Sequence, residues 1–402
     1  MDFDSLPSPE DYQYALPDER IAYQPLAQRD ASKLLVYENG IISHRMFRDI
    51  SAILPSGSRL FVNETKVVMA RLHAIIPEKN KAIEVFCLEA PHGKSVEQVM
   101  QSFHSVEFLC LVGGARHWKN GTLRIPLDLE AGRFDLRMTM RERRGGHFLI
   151  AFNWDAPLPF AKILDAAGKV PLPPYIRRDV RDEDDERYQT IYAKQQGSVA
   201  APTAGLHFTA DVMNALSNNG VTMHELVLHV GGGTFLPLKS ASLKDHVMHS
   251  EEMVVNGGTL RSLLADASAF IAAGTTSMRY MESVYWLGVK LINGDAPNKL
   301  NQWDAYNLPQ NVPAYEALNA LLDYVEDGTL YARTALMIFP GYRFRMVDAL
   351  ITNFHQPKST LLMLVAAAIG GDWKKVYEAA LKNNYRFLSY GDANLYWINN
   401  KV

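Results

Sequence analysis

The sequence predicts an α/β protein: a main domain with a mixed sheet, interrupted by an inserted small all-β barrel domain. Three observations predict it. Residues 33–72 alternate short apolar runs with turn signals, and residues 73–157 switch to period-two alternation. Beyond Pro157 and Pro159, amphipathic helices and apolar strands return together. The main domain is therefore expected over 1–70 and 158–402, and the barrel over 71–157.

In chain order, KLLVYENGIISH reads as a hairpin, because Asn39-Gly40 supplies the positive backbone angles of a tight turn. SGSRLFVNETKVVMARL reads as a strand, a loop and a second strand. In the inserted region AIEVFCLEA, EFLCLVGGA and the RFDLRMTMRE–HFLIAF hairpin alternate apolar and polar residues, as barrel strands do. Phe134, Leu136, Met138 and Met140 share one face of that hairpin; Arg133, Arg137 and Arg141 share the other. FAKILDAAGKV reads as a short helix ending near Gly168. TADVMNALSNNG is a helix with Thr209 as N-cap and Gly220 as its stop. VTMHELVLHV is a strand, TLRSLLADAS a helix, FIAAGTT a strand entering a tight loop, and WKKVYEAALK a helix. Residues 294–314 are turn-rich and read as a surface insertion. The acidic run RDEDDER reads as a solvated loop, and the apolar residues after Ser359 as core.

Composition excludes several function classes. Of 402 residues 48% are hydrophobic and 21% charged, so the chain is globular and long enough to bury its own core. Lys and Arg total 41 against 44 Asp and Glu, which gives no global basic field. Two cysteines, Cys87 and Cys110, are too few for a disulfide framework or a four-cysteine zinc site. The acidic N-terminus does not read as a signal peptide, and the longest apolar stretch, Leu361–Ile369, is about half a membrane span. No contact with a membrane, a cytoplasmic location and a monomer are the expectations. There is no GxxxxGK[ST] loop, and HVGGGTF lacks the glycine order of a dinucleotide site. His224 and His229 lie an odd number apart on a strand, so they face opposite sides and cannot chelate one metal. No metal site is expected.

What remains is a set of polar and glycine clusters, all in the second half. SVAAPTAGLHF carries Thr203 and His207. LHVGGGTF carries His229, Gly231, Gly232 and Gly233. HVMHSEE carries His246, His249 and Glu251. AGTTSMRYMES puts Thr275, Thr276 and Arg279 on a strand-to-helix turn, where anions bind. FPGYRFRMVDALITNFHQPKSTLLMLV carries Tyr342, Asn353, His355 and Lys358, and YRFLSYGDANL carries Tyr390 and Asp392.

These motifs, with RDASKLLV, NETKVVMARL, PLPPYI and ERYQTIYAKQQGSVAAPTAGLHF, resemble the S-adenosylmethionine:tRNA ribosyltransferase-isomerases of queuosine biosynthesis, the QueA family. The likeness runs nearly end to end outside the β insertion. FLCLVGGARHWKNG, Gly232 and extra residues around 290–335 depart from the family pattern. The resemblance implies transfer and isomerisation of the ribosyl group of S-adenosylmethionine onto 7-aminomethyl-7-deazaguanine at the tRNA wobble position. Epoxyqueuosine-tRNA, adenine and methionine are the products. S-adenosylmethionine would be a consumed substrate, with no cofactor, and tRNA the partner.

Such chemistry asks for a base at the 5′ carbon, an acid for departing adenine and a neutral attacking amine. Histidine suits both proton roles, so His207, His229, His249 and His355 are the catalytic candidates, with Glu251 orienting His249. Arg279 is a candidate partner of the methionine carboxylate. Thr275 and Thr276 are candidates for ribose contacts, and Lys358 for a tRNA phosphate. Thr203, Gly231, Gly232, Gly233, Tyr342, Tyr390 and Asp392 complete the binding candidates. The alternatives are a non-catalytic tRNA- or nucleoside-binding homologue, and a transferase acting on a small nucleoside.

Overall fold

The apolar alternation resolves into two large sheets in the computed structural model, which describes residues 6–91, 94–130, 132–232, 242–326 and 328–401. The larger is a ten-stranded mixed sheet. Its spatial order begins Lys299–Leu300, Thr329–Thr334, Glu251–Asn256, Thr222–His229 and Arg59–Asn63. It continues Phe270–Ala273, Ala349–Asn353, Ala393–Trp397, Lys33–Glu38 and Ile41–Met46. Thr222–His229, Arg59–Asn63, Phe270–Ala273 and Ala349–Asn353 run parallel to one another at the centre. Antiparallel strands flank them, Glu251–Asn256 on one side and Ala393–Trp397 on the other.

A central parallel strand is covered on both faces, so it reads as an unbroken apolar run. Ala349–Asn353 is buried at every position. Period-two geometry splits the strand Lys33–Glu38 between two cores. Leu35 and Tyr37 join the core under helices Thr275–Ile292, Ala314–Val325 and Thr360–Ile369, while Leu34 and Val36 join the core under helix Ala210–Asn218.

The local signals act as their chemistry requires. Asn39 and Gly40 take φ of 47° and 84° between antiparallel strands, which is the two-residue turn of a tight hairpin. The Thr209 hydroxyl accepts the Val212 N–H at the start of helix Ala210–Asn218. Two readings differ from the structure. Residues 294–314 are packed, not a loose surface insertion: Leu300 and Ala305 are buried, and the Trp303 and Tyr306 rings lie 6.0 and 4.8 Å from that of Phe339. Their few large apolar side chains anchor an otherwise turn-rich stretch. The acidic run forms helix Asp182–Arg187, and Asp184 within it is buried. Its carboxylate accepts two bonds from Arg178, at 2.6 and 2.7 Å, one from the Arg181 N–H and one from the Tyr390 hydroxyl. That is how a buried charge is tolerated.

The second sheet has seven strands, antiparallel throughout, in the order Gly168–Lys169, Arg71–Ile76, Lys81–Glu89, Ser105–Gly113, His147–Asn153, Gly132–Arg144 and Thr122–Leu129. The chain thus combines a mixed α/β body with a curled antiparallel unit, and the ladder of that unit is open at its two end strands. Leu136 and Met138 point into its core as the alternation requires. This core also takes Val68, Ala70 and helix Phe160–Ala167, on both sides of 71–157. Arg133, Arg137 and Arg141 on the outer face each lie beside a carboxylate: Asp128, Asp155 and Glu107, at 2.8, 2.6 and 3.9 Å. No helix among the described residues is long and apolar enough to cross a membrane.

Candidate active site

The strands Phe270–Ala273 and Ala349–Asn353 end at the same edge of the large sheet, and a cavity of about 590 Å³ opens there. Carboxyl ends of parallel strands are where open α/β sheets bind ligands, because loops and helix starts converge beyond them. Two helices begin at this cavity. Gly274, Thr275 and Thr276 line it at the start of the 18-residue helix Thr275–Ile292, and Ser359 and Thr360 line it at the start of Thr360–Ile369. Their first-turn N–H groups lack intrahelical partners, so this end of the cavity is electropositive.

Arg279 sits one turn into the first helix, and its side chain is only 11% exposed. Its Nη1 donates to the buried Glu251 carboxylate at 2.5 Å and its Nε to the Leu336 carbonyl at 3.2 Å. Its Nη2 is buried without a hydrogen-bond partner among the described residues. The guanidinium is thus fixed by Glu251 and the Leu336 carbonyl where Arg279 lines the cavity. Glu251 opens a strand whereas His249 lies in the segment before it, so the two-residue spacing does not act along an extended ladder. The Glu251 bond given by the structure is to Arg279. His246 and His249 both line the cavity. Gln302 holds their segment by accepting the Met248 N–H at 3.0 Å and donating to the His246 carbonyl at 2.9 Å. Burial lowers the His246 pKa, and the neighbouring His249 lowers it further.

His355 lines the cavity from the other side. Its Nε2 lies 3.0 Å from the Thr352 hydroxyl, and its backbone N–H donates to the Tyr377 hydroxyl at 3.1 Å. Burial lowers its pKa to about 3, so the ring is neutral at ordinary pH and can accept a proton.

A family model described as queuosine biosynthesis protein matches residues 9–396. The chain belongs to that family. Among solved structures, S-adenosylmethionine tRNA ribosyltransferase from Thermotoga maritima is similar at 28% identity. The match covers 96% of this chain and 99% of that one, with a TM-score of 0.45.

In this queuosine biosynthesis protein the cavity gathers Thr203, His249, Glu251, Thr275, Thr276, Arg279, His355 and Lys358. The other sequence candidates lie elsewhere. His207 stands behind the wall: its Nε2 meets the Asn353 amide at 3.2 Å and its Nδ1 the Ser32 hydroxyl at 2.9 Å. Burial, with a smaller effect from Arg386, lowers its pKa to about 3. His229 ends its strand near Gly197 and is buried with neither ring nitrogen hydrogen-bonded among the described residues; burial lowers its pKa to about 4. Tyr342 is a core residue whose hydroxyl donates to Glu282 and accepts from Trp286. The Tyr390 hydroxyl donates to Asp184, and Asp392 accepts the Lys33 and Arg386 N–H groups. Gly232 packs against the curled sheet, where a Cβ would come within 2.4 Å of Leu88. Gly231 has open space beside it, and Gly233 lies outside the described residues. Lys358 pairs with Glu10 at 2.5 Å, which answers its charge.

Asn353 appears in the sequence reading without a role, and Tyr175, Tyr188 and Ser389 are not named in it. Asn353 accepts the Thr203 hydroxyl at 2.9 Å while its amide meets His207, so it links the cavity to the buried layer behind. Tyr175, Tyr188 and Ser389 form one wall, with the Tyr175 and Ser389 hydroxyls 2.5 Å apart. PLPPYI and ERYQTIY were the only signals for the two tyrosines, and Ser389 lies within YRFLSYGDANL.

Proposed function

We propose that the chain transfers and isomerises the ribosyl group of S-adenosylmethionine onto 7-aminomethyl-7-deazaguanine at the tRNA wobble position, releasing adenine and methionine. Family membership supports the reading, and the observation that carries it is the composition of the cavity. One chamber combines a donor-bearing arginine braced by a carboxylate, two helix N-termini, aromatic walls and imidazoles. Its volume of about 590 Å³ is within the usual range of small-molecule sites, roughly 300–1,000 Å³.

In this reading the methionine carboxylate meets Arg279 and the first turn of helix Thr275–Ile292, with Thr275 and Thr276 against the ribose. Glu251 and the Leu336 carbonyl hold Nη1 and Nε, so Nη2 is the nitrogen of Arg279 left without a partner among the described residues. The sulfonium acidifies the adjacent 5′ carbon, and a cavity imidazole, His249 or His355, takes that proton. The imidazolium so formed passes that proton to a ring nitrogen of adenine as its glycosidic bond breaks. A cationic aminomethyl group loses its proton more readily in a half-buried chamber than in water, which leaves the nitrogen lone pair for attack. Asn353 and Glu251 act as positioning residues. We take the seven-stranded unit as an inserted half-barrel whose outer face approaches the tRNA.

The test is incubation with S-adenosylmethionine labelled in adenine and tRNA bearing the precursor base. Adenine release that depends on tRNA is the expected result. Binding without release makes the chain a non-catalytic homologue, and release with free nucleoside alone makes it a small-nucleoside transferase.

A further inference from the structure

A second, smaller recess lies beside the main cavity. It is lined by Arg29, Arg187 and Arg386 together with Ser32, His207 and Ser389. Ser389 borders both spaces, and His207 reaches the main cavity through Asn353. Two of the three guanidiniums, those of Arg29 and Arg187, are held by backbone carbonyls and not by ion pairs. Arg29 donates to the carbonyls of Gln189, Leu206 and Glu186, and Arg187 to those of Ala27 and Leu26. Carbonyls orient an arginine but do not neutralise it. Among the described residues neither has a carboxylate within ion-pair distance. Arg386 has one, Asp392 at 3.7 Å, and the exposed Glu186 side chain is near enough for Arg29 to feel its charge. The Arg187 Nε–H is buried with no acceptor among the described residues. Burial, and then repulsion from Arg187, pulls the Arg29 guanidinium below its usual range. Positive charges held close together around one recess are what an oxyanion satisfies.

Size narrows the ligand. The recess measures about 20 Å³, where a single water needs at least roughly 10–15 Å³ by the same kind of measure. Neither a sugar nor a base enters; the tip of a phosphate does, with its remaining substituents outside.

The geometry points to this recess as a phosphate-binding site for the RNA substrate, in which Arg29, Arg187 and Arg386 grip one backbone phosphodiester beside the nucleotide presented to the main cavity. This rests on the tRNA reading above. A fixed phosphate next to the chamber sets the register of the strand without reading its sequence.

The experiment compares the full chain with Arg187→Gln, using an anticodon stem-loop RNA bearing the precursor base. Inorganic phosphate serves as the separate probe. Arg187→Gln should weaken RNA affinity about tenfold at low salt and make the slope of log affinity against log salt shallower by about 0.7–0.9, the share of one phosphate. S-adenosylmethionine affinity and kcat at saturating RNA should not change, and phosphate should raise the Tm of the parent more than that of the variant. Arg386→Gln should reproduce the RNA effect, which guards against a folding defect in one variant. An unchanged salt slope in both folded variants overturns the site. A parent that gains Tm with phosphate but binds no RNA overturns RNA as the source, and the function reading with it. RNA binding that is normal in both variants overturns the site alone.

Discussion

At the scale of single residues, His207, His249 and His355 differ in what they can do. His249 and His355 line the cavity, while His207 is separated from it by Asn353. His249→Ala is expected to lower turnover about a hundredfold or more, the usual cost of losing a general acid or base, with Tm nearly unchanged. His207→Ala strands the Ser32 hydroxyl and the Asn353 amide in a buried layer, so it should destabilise by about 1–3 kcal/mol. Chemical denaturation beside single-turnover rates separates the two, and equal Tm losses would sink the distinction. Arg279→Lys keeps the charge but cannot hold Glu251, the Leu336 carbonyl and a ligand together. It should raise the KM for S-adenosylmethionine about tenfold while leaving the KM for tRNA in place, as steady-state kinetics would read.

At the scale of elements, the junction from strand Phe270–Ala273 into helix Thr275–Ile292 decides the site. Gly274 bridges them at φ 97° and ψ 152°, a region that side-chain-bearing residues avoid. A Cβ there would meet Ala204 at 3.8 Å, which is ordinary contact, so the penalty comes from backbone strain and not from a clash. Gly274→Ala should therefore cost about 1–3 kcal/mol and displace Thr275 and Thr276. Unfolding titrations and S-adenosylmethionine binding should both show the loss. Wild-type affinity in the variant would mean that the helix start does not position the ligand. The strand-to-helix turn itself was legible in AGTTSMRYMES, because the apolar run ends at small polar residues before a helical pattern. Arg133, Arg137 and Arg141 were legible as one face, but their carboxylate neighbours come from other strands or from beyond the next turn.

At the scale of the molecule, three buried neutral histidines make the fold sensitive to acid. His207 and His355 are lowered to about 3 and His229 to about 4, against about 6.5 when free. Between those values the unfolded chain binds protons that the folded chain refuses, so stability rises with pH. Their contribution is complete above about pH 6.5 and is lost as pH falls toward about 3–4, by about 1.4 kcal/mol per pH unit for each histidine. Denaturation series between about pH 6.5 and pH 5 should show that slope, and His229→Gln should lower it by one proton's share. A flat profile would contradict neutral burial of these rings.

What the amino-acid sequence determined by itself was local. Periodicity and turn residues marked the Asn39-Gly40 hairpin, the Thr209 cap, the switch to alternating strands after residue 72 and the motifs that identify the family. Each of these depends on neighbours a few residues apart, which a sequence displays directly. Only the tertiary structure decided which histidines reach the cavity, that Glu251 braces Arg279, that Asp184 is buried on Arg178, and that Tyr175, Asn353 and Ser389 belong to one chamber with Thr275. These contacts join strand ends far apart in the chain, at the edge where parallel strands stop. Their partners are selected by sheet order and by burial, neither of which leaves a periodic trace in the residues themselves.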